Sequence, residues 1–249
     1  MDKKVITKRT NTLLLLLLIV LISCKKENNR CFKSYGDITK EVRVTNAFSF
    51  IELDDRINLF LTQDSVHKIE VEAGENLLPL IKTEIENGKL RIYDRNMCYW
   101  FRGYDKEINV YVSYVELDSM RFSGAGTIST TNTMKGDYFM LNLWGAGGSV
   151  NMNVDLQESH FNIHTGTGDI TLKGKSTTNY AYSASNGFLF LSELETSNTF
   201  LSSNGTGDFY VYATSAIGVQ IYGPGSVFYS GNPDVLWEID EGEGNLVKQ

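Results

Sequence analysis

Two histidines on one short segment are the most obvious candidates for chemistry in this 249-residue chain. His160 and His164 are four residues apart, and on a helix both imidazoles would lie on one face and bind one metal ion. Phe161 and Ile163 alternate with polar neighbours, which predicts a strand instead. Four residues of strand span about 13 Å, too far for both rings to reach an ion at about 2 Å. We predict outward, solvated histidines and no metal site.

Two aspartates end the repeated tetrapeptide Gly-Thr-Gly-Asp, at 166–169 and 205–208. Calcium-binding glycine repeats recur every nine residues, whereas Asp169 and Asp208 are separated by two periods of a longer repeat, with Phe188 at the matching place between them. If rungs stack at about 4.8 Å, the carboxylates lie about 9.6 Å apart, near the upper limit for an inverting glycosidase. Aspartate is also a common turn residue. We therefore predict no calcium, no cofactor and no enzyme, with a polysaccharide-active β-helix enzyme as the weaker alternative.

The first 24 residues have the pattern of a signal peptide. A basic leader precedes an apolar run at 13–22, which is shorter than the roughly 20 residues of a membrane-spanning helix. Ser23-Cys24 follows directly and resembles a bacterial lipoprotein cleavage box, so Cys24 is predicted to carry lipid. An ordinary secretory signal with a chance cysteine is the alternative. Residues 25–40 are polar at their start and are predicted to be a flexible tether.

Two further cysteines remain once Cys24 is assigned to lipid. Cys31 and Cys98 are an even pair in an oxidising compartment, which favours a disulfide. The bridge would join the tether to the first half of the chain and contribute roughly 4 kcal/mol at most. Two separate buried thiols are the alternative.

The charge excludes one class of partner. Removing residues 1–24 takes four basic residues and one acidic residue from totals of 23 and 30, which leaves 19 against 29 and a net charge near −10. Nucleic acid binding requires clustered lysine and arginine, so we expect no nucleic acid partner.

A Gly-x-Gly-like step recurs about every twenty residues and predicts the architecture. It begins at residues 124, 146, 166, 185, 205, 223 and 242, and the position two residues after each step is always apolar. A fixed period that couples a turn to an apolar strand is typical of stacked repeats. Residues 41–121 alternate with period two, with one short helical candidate at 75–81. We predict an all-β fold, a parallel β-helix or β-solenoid with rungs of about 20 residues, forming one domain over 41–249. An antiparallel sandwich is the competing fold.

The order of several short motifs resembles the head GIN domain family of auto-transporter adhesins. These motifs are Phe48-x-Phe50-Ile with Arg56-Ile57-Asn58, then 72–78, Asn87-Gly88-Lys89, Ser123-Gly-Ala-Gly126 and the two Gly-Thr-Gly-Asp steps. The naming tripeptide Gly-Ile-Asn reads Arg56-Ile57-Asn58 here, a departure at its glycine. The resemblance spans roughly residues 40–247 and implies an envelope-exposed β-solenoid with an adhesive role and no established catalytic residues.

The register predicts one candidate binding face. If Leu189 and Leu191 point inward, Phe190 points outward, and the same step turns Tyr210, Tyr212 and Phe228 outward on later rungs. A row of exposed aromatic side chains usually contacts a ligand. A final segment that covers the row is the alternative.

Together these patterns predict a lipid-anchored binding or adhesion module of the cell envelope without catalytic activity. We expect an outer membrane lipoprotein, periplasmic or surface-exposed, attached to the membrane through lipid on Cys24. Its ligand would be a glycan or protein at the cell surface. A self-associating structural envelope protein, and hence a homo-oligomer, is the alternative.

Overall fold

The fold is a β-solenoid of about six turns with rungs of about 20 residues, as the glycine period predicts. The computed structural model describes residues 34–96 and 107–249, and these contain strands and turns but no helix. The predicted signal peptide, lipid site and disulfide lie outside the described residues, because Cys24, Cys31 and Cys98 all do. Within the described ranges, no helix is long and apolar enough to cross a membrane.

The strands fall into two groups. Those of the first half are short: β1 (Ile38–Arg43), β2 (Phe50–Leu53), β3 (Asn58–Gln63), β4 (Lys68–Gly74), β5 (Ile81–Glu86), β6 (Lys89–Asp94), β7 (Asn109–Tyr114), β8 (Ser119–Phe122) and β9 (Thr127–Thr130). The next five strands are long and run round a corner of the solenoid: β10 (Met134–Ala146), β11 (Ser149–Gly166), β12 (Ile170–Ser183), β13 (Leu189–Ser203) and β14 (Phe209–Ile221). The last three are short again: β15 (Val227–Gly231), β16 (Asp234–Asp240) and β17 (Leu246–Lys248).

Parallel pairing stacks the second half in sequence order. Strands β10 to β14 pair each with the next, and the apolar residues after the glycine steps form one column: Val150, Ile170, Leu189, Phe209, Val227 and Leu246. The first five of these are fully buried. Because side chains alternate along a strand, one face of every rung fills a continuous core and the other faces outward.

The first half stacks in a different order and closes one end. The β2–β3 rung lies between the β6–β7 rung and the β8–β9 rung, in parallel with both. Strands β1, β4 and β5 add antiparallel pairs at this end: β1 pairs with β4, β4 with β7, and β5 with β6. Strand β1 begins at Ile38, inside the range that the sequence assigned to the tether. The predicted helix at 75–81 does not form: residues 75–80 are turns and Ile81 begins β5, since Pro79 has no N–H to continue a helical ladder.

The glycine steps are corners at which successive backbones touch. A Cβ on Gly148 would overlap the carbonyl oxygen of Gly126, one on Gly168 that of Gly148, and the same clash repeats along the column at Gly187, Gly207, Gly225 and Gly244. None of these glycines has a positive φ. Close approach of stacked backbones, and not a left-handed conformation, is therefore what requires glycine here.

A pair of neighbouring glycines tests this constraint. We expect Gly148→Ala to lower the free energy of unfolding by about 1–3 kcal/mol or more, because the backbone that it meets cannot move aside. Gly147→Ala is the matched control, since a Cβ there lies 3.9 Å from its nearest neighbour, Thr167 Oγ1. Urea unfolding measures both. Equal losses in the two variants would contradict the close-approach explanation.

Candidate functional site

The two corner aspartates are engaged by backbone. The Phe188 N–H donates to Asp169 Oδ1 at 2.8 Å, and the Ser226 N–H donates to Asp208 Oδ1, also at 2.8 Å. Each carboxylate thus holds the following rung, as expected of a turn residue. Within residues 34–96 and 107–249, no group of three or more His, Cys, Asp or Glu side chains is arranged to hold a metal ion.

The two histidines point outward but are half-buried in stacks of rings, not solvated as the sequence predicted. His160 lies 5.4 Å from Tyr138 and 4.7 Å from Tyr180 between ring centroids. His164 stacks on Trp144 at 4.0 Å and lies 5.5 Å from Tyr182. The cause is the twenty-residue period, which puts aromatic residues of the adjacent rungs on both sides of each imidazole.

Each histidine also has a polar partner. His160 Nε2 lies 2.7 Å from Glu158 Oε1, and His164 Nε2 lies 2.9 Å from Asn142 Oδ1. Burial lowers the pKa of the His164 imidazole below its ordinary value. The neutral form of His164 is therefore favoured in the folded chain.

Three of the four residues of the predicted binding face form a stack that we call the aromatic ladder: Phe190, Tyr210 and Phe228. Ring centroids are 5.5 Å apart between Phe190 and Tyr210 and 5.0 Å apart between Tyr210 and Phe228, with interplanar angles of 13° and 10°. Phe190 is 40% exposed and the other two are half-buried. Tyr212 also faces outward, two residues further along β14, but it lies opposite Glu195 and Ser230 and not opposite a ring.

The two C-terminal strands that the structure describes do not cover the ladder. Strand β17 extends the column by placing Val247 opposite Phe228, and β16 pairs with Ala216–Ile221 of β14, which belongs to a different side of the solenoid. The ladder is therefore an outer surface of the last rungs.

Sequence reasoning missed a second surface, which we call the aromatic groove. It is an open cleft of about 480 Å³ across β11, β12, β13, β14 and β16. One wall is aromatic and consists of Tyr180, Phe200 and Trp237. The floor is formed by Ala181 and Leu201. The opposite wall is more polar and consists of Asn162, Tyr182, Ser202 and Gln220. Its signal in the sequence is the exact twenty-residue spacing of His160, Tyr180 and Phe200.

A glycine shapes the far end of this groove. In the register Gly218 lies between Phe200 and Trp237, one rung from each. A Cβ on Gly218 would overlap the indole of Trp237. The indole therefore leans into the empty place and lies 6.1 Å from the Phe200 ring at an angle of 14°, although the two residues are two rungs apart.

Comparisons with known proteins agree on the fold. The family model described as "Putative auto-transporter adhesin, head GIN domain" matches residues 47–233. A protein named as a putative adhesin from Bacteroides fragilis is 20% identical, with a TM-score of 0.78 over 86% of this chain and 97% of its own. A protein named as a putative lipid binding protein from Parabacteroides distasonis is 18% identical, with a TM-score of 0.66 over 86% and 97%. No curated protein matches the sequence.

The ring stack around His164 leads to a prediction on pH. We expect its imidazole to titrate with a midpoint below the ordinary value of 6.5, as followed by NMR. Because the folded pKa is lowered, the unfolded chain takes up this proton first, so stability falls as the pH drops below about 6.5. His164→Gln should remove this part of the acid sensitivity. A midpoint at or above 6.5 would disprove the assignment.

Proposed function

Since the chain belongs to the head GIN domain family of auto-transporter adhesins, we propose that it is a lipid-anchored binding module of the cell envelope. The observation that carries the proposal is the position of the exposed aromatic side chains. The aromatic ladder occupies the last rungs, and β1, which follows the N-terminal segment, lies at the opposite end of the stack. A chain anchored at Cys24 would therefore present the ladder away from the membrane.

The proposed anchor is a lipid on Cys24 in the outer membrane. Each buried CH₂ of an acyl chain contributes about 0.8 kcal/mol, and more than one chain is needed for stable attachment. The short apolar run before Ser23-Cys24 and the polar residues after it support this attachment. Surface exposure fits the family description better than a periplasmic location.

The proposed ligand of the ladder is a glycan or a protein on a cell surface. Stacked, partly exposed rings offer apolar area without charge, and aromatic residues are enriched in binding interfaces. Structural relatives are named for adhesion and for lipid binding, and both names describe binding rather than catalysis. Asp169 and Asp208 each accept a hydrogen bond from a backbone N–H, which argues against their acting as a catalytic pair.

Self-association through the open C-terminal end is the rival function, and the charge of that end opposes it. The edge strand β16 and the turn after it expose five carboxylates, on Asp234, Glu238, Asp240, Glu241 and Glu243. Like charges on an edge strand repel a second copy of the same edge. We therefore propose a monomeric module.

Substitution in the ladder tests the binding role. We expect Tyr210→Ser with Phe228→Ser to reduce adhesion of protein-coated beads to cell surfaces and extracellular matrix at least tenfold, because the apolar contact area is lost. Asn151→Ser is the matched control, since Asn151 occupies the same place on an earlier rung. Undiminished adhesion in the double variant, or none by the parent chain, would refute the proposal.

Substitution at the cleavage box tests the anchor. Cys24→Ala should move the protein from the membrane fraction to the soluble fraction, because no lipid can be attached. Ser23→Ala keeps a small residue before the cysteine and should leave the protein in the membrane fraction. Membrane retention of Cys24→Ala would rule out lipid anchoring at this residue.

A further inference from the structure

The aromatic groove has the features of a ligand site that is separate from the aromatic ladder. Its volume of about 480 Å³ lies within the range of small-molecule sites, roughly 300–1,000 Å³. The groove is lined by residues of β11 to β14 and β16 that precede the glycine corner of their rungs, whereas the ladder residues follow the corner. Ligand binding in the groove therefore does not depend on the ladder.

None of the described residues that line the groove has a charged side chain, although 21% of the chain is charged. Strand β16, which supplies Trp237, carries exposed carboxylates on Asp234, Glu238 and Asp240. An anionic ligand would meet these carboxylates, and a cationic ligand would find no counter-charge inside the cleft. The electrostatics favour a neutral ligand.

The two walls favour a ligand with both apolar and hydroxyl surfaces. Phe200 and Trp237 offer ring carbons on one side. On the other side, Gln220 makes no side-chain hydrogen bond within the described residues, and Asn162 uses its Nδ2 on Asn142 and keeps its Oδ1 for another donor. Amides of this kind suit the hydroxyl groups of a sugar, and aromatic carbons suit its C–H faces.

Two other ligand classes fit the groove less well. An extended peptide gains its affinity by pairing with a free strand edge, but the strands of the floor are already paired on both sides, from β11 through β12, β13 and β14 to β16. An acyl chain would leave the amides of the polar wall without a ligand partner and would not be enclosed in this open cleft.

From this geometry we propose that the aromatic groove binds a neutral polysaccharide chain that lies along the solenoid axis. The direction follows from the walls, each of which is a row of side chains that crosses successive rungs. Tyr180 and Phe200 supply successive rungs of one wall, and Tyr182, Ser202 and Gln220 supply successive rungs of the other. A chain in this direction therefore passes the same register position on each rung. Trp237 closes one end of the row.

Calorimetric titration of the full chain tests the proposal. The probes are neutral hexasaccharides with glucose, xylose, mannose or galactose backbones, together with hexagalacturonate, palmitate and phosphatidylcholine vesicles. We expect at least one neutral hexasaccharide to bind, with a change in tryptophan emission, and hexagalacturonate to bind at least tenfold more weakly. Failure of every neutral hexasaccharide, or binding of palmitate or vesicles alone, would overturn the proposal.

Three substitutions assign the binding to the groove. Phe200→Ala and Gln220→Ala should each weaken saccharide binding at least tenfold, and Gly218→Ala should do so by displacing the Trp237 indole. The control is Phe60→Ala, since Phe60 is also half-buried and stacked, on Tyr111 at 4.9 Å, but lies on β3 in the first half. Full affinity in both Phe200→Ala and Gln220→Ala would overturn the proposal.

The outcome is distinguishable from that of the adhesion test. Loss of adhesion in the ladder variant with no saccharide binding would refute the groove and leave the proposed function intact. Saccharide binding that depends on Phe200, without adhesion by the parent chain, would refute the adhesive role and leave the groove intact.

Discussion

Contact between glycine backbones at the corner is the constraint on which the rest of the structure depends. At each step from Gly126 to Gly244 the space for a Cβ is taken by the carbonyl oxygen of the preceding rung. Backbone hydrogen bonds between parallel strands set the separation of the rungs, and the glycines allow the corner to keep that separation, so the parallel ladders continue in register directly after it. Two of the seven steps have Ala146 or Ser185 at the first position, whereas the second position is glycine in all seven.

A fixed register converts sequence spacing into columns of side chains. Residues about twenty apart become neighbours, so apolar residues such as Ile170 and Leu189 join one core and aromatic residues such as Phe190 and Tyr210 stack outside it. The same rule explains why Asp169 and Asp208 bond to the next rung and why His160 and His164 lie within ring stacks. The environment of a surface side chain in this fold is therefore set by the residues at the same register position on the neighbouring rungs.

The two ends of the solenoid are closed by different means. At the N-terminal end β1, β4 and β5 pair antiparallel, and Lys40 forms ion pairs with Glu70 at 3.3 Å and Glu72 at 3.1 Å. At the C-terminal end β16 leaves one edge unpaired among the described residues and surrounds it with carboxylates. Both devices limit unwanted strand pairing. The aromatic ladder and the aromatic groove lie near the second end, where the surface is not covered by capping strands.

The sequence by itself determined the repeat, the inward and outward faces of the later strands and the outward direction of the ladder residues, because these depend on spacing along one chain. It did not determine that β2 and β3 lie between later rungs, since stacking order depends on contacts between distant segments. Nor did it reveal the groove. The spacing of Tyr180 and Phe200 is visible in the sequence, but Trp237 joins them only because Gly218 leaves a place into which the indole leans. The contact between Phe200 and Trp237 spans the intervening rung at Gly218, and only the tertiary structure could decide it.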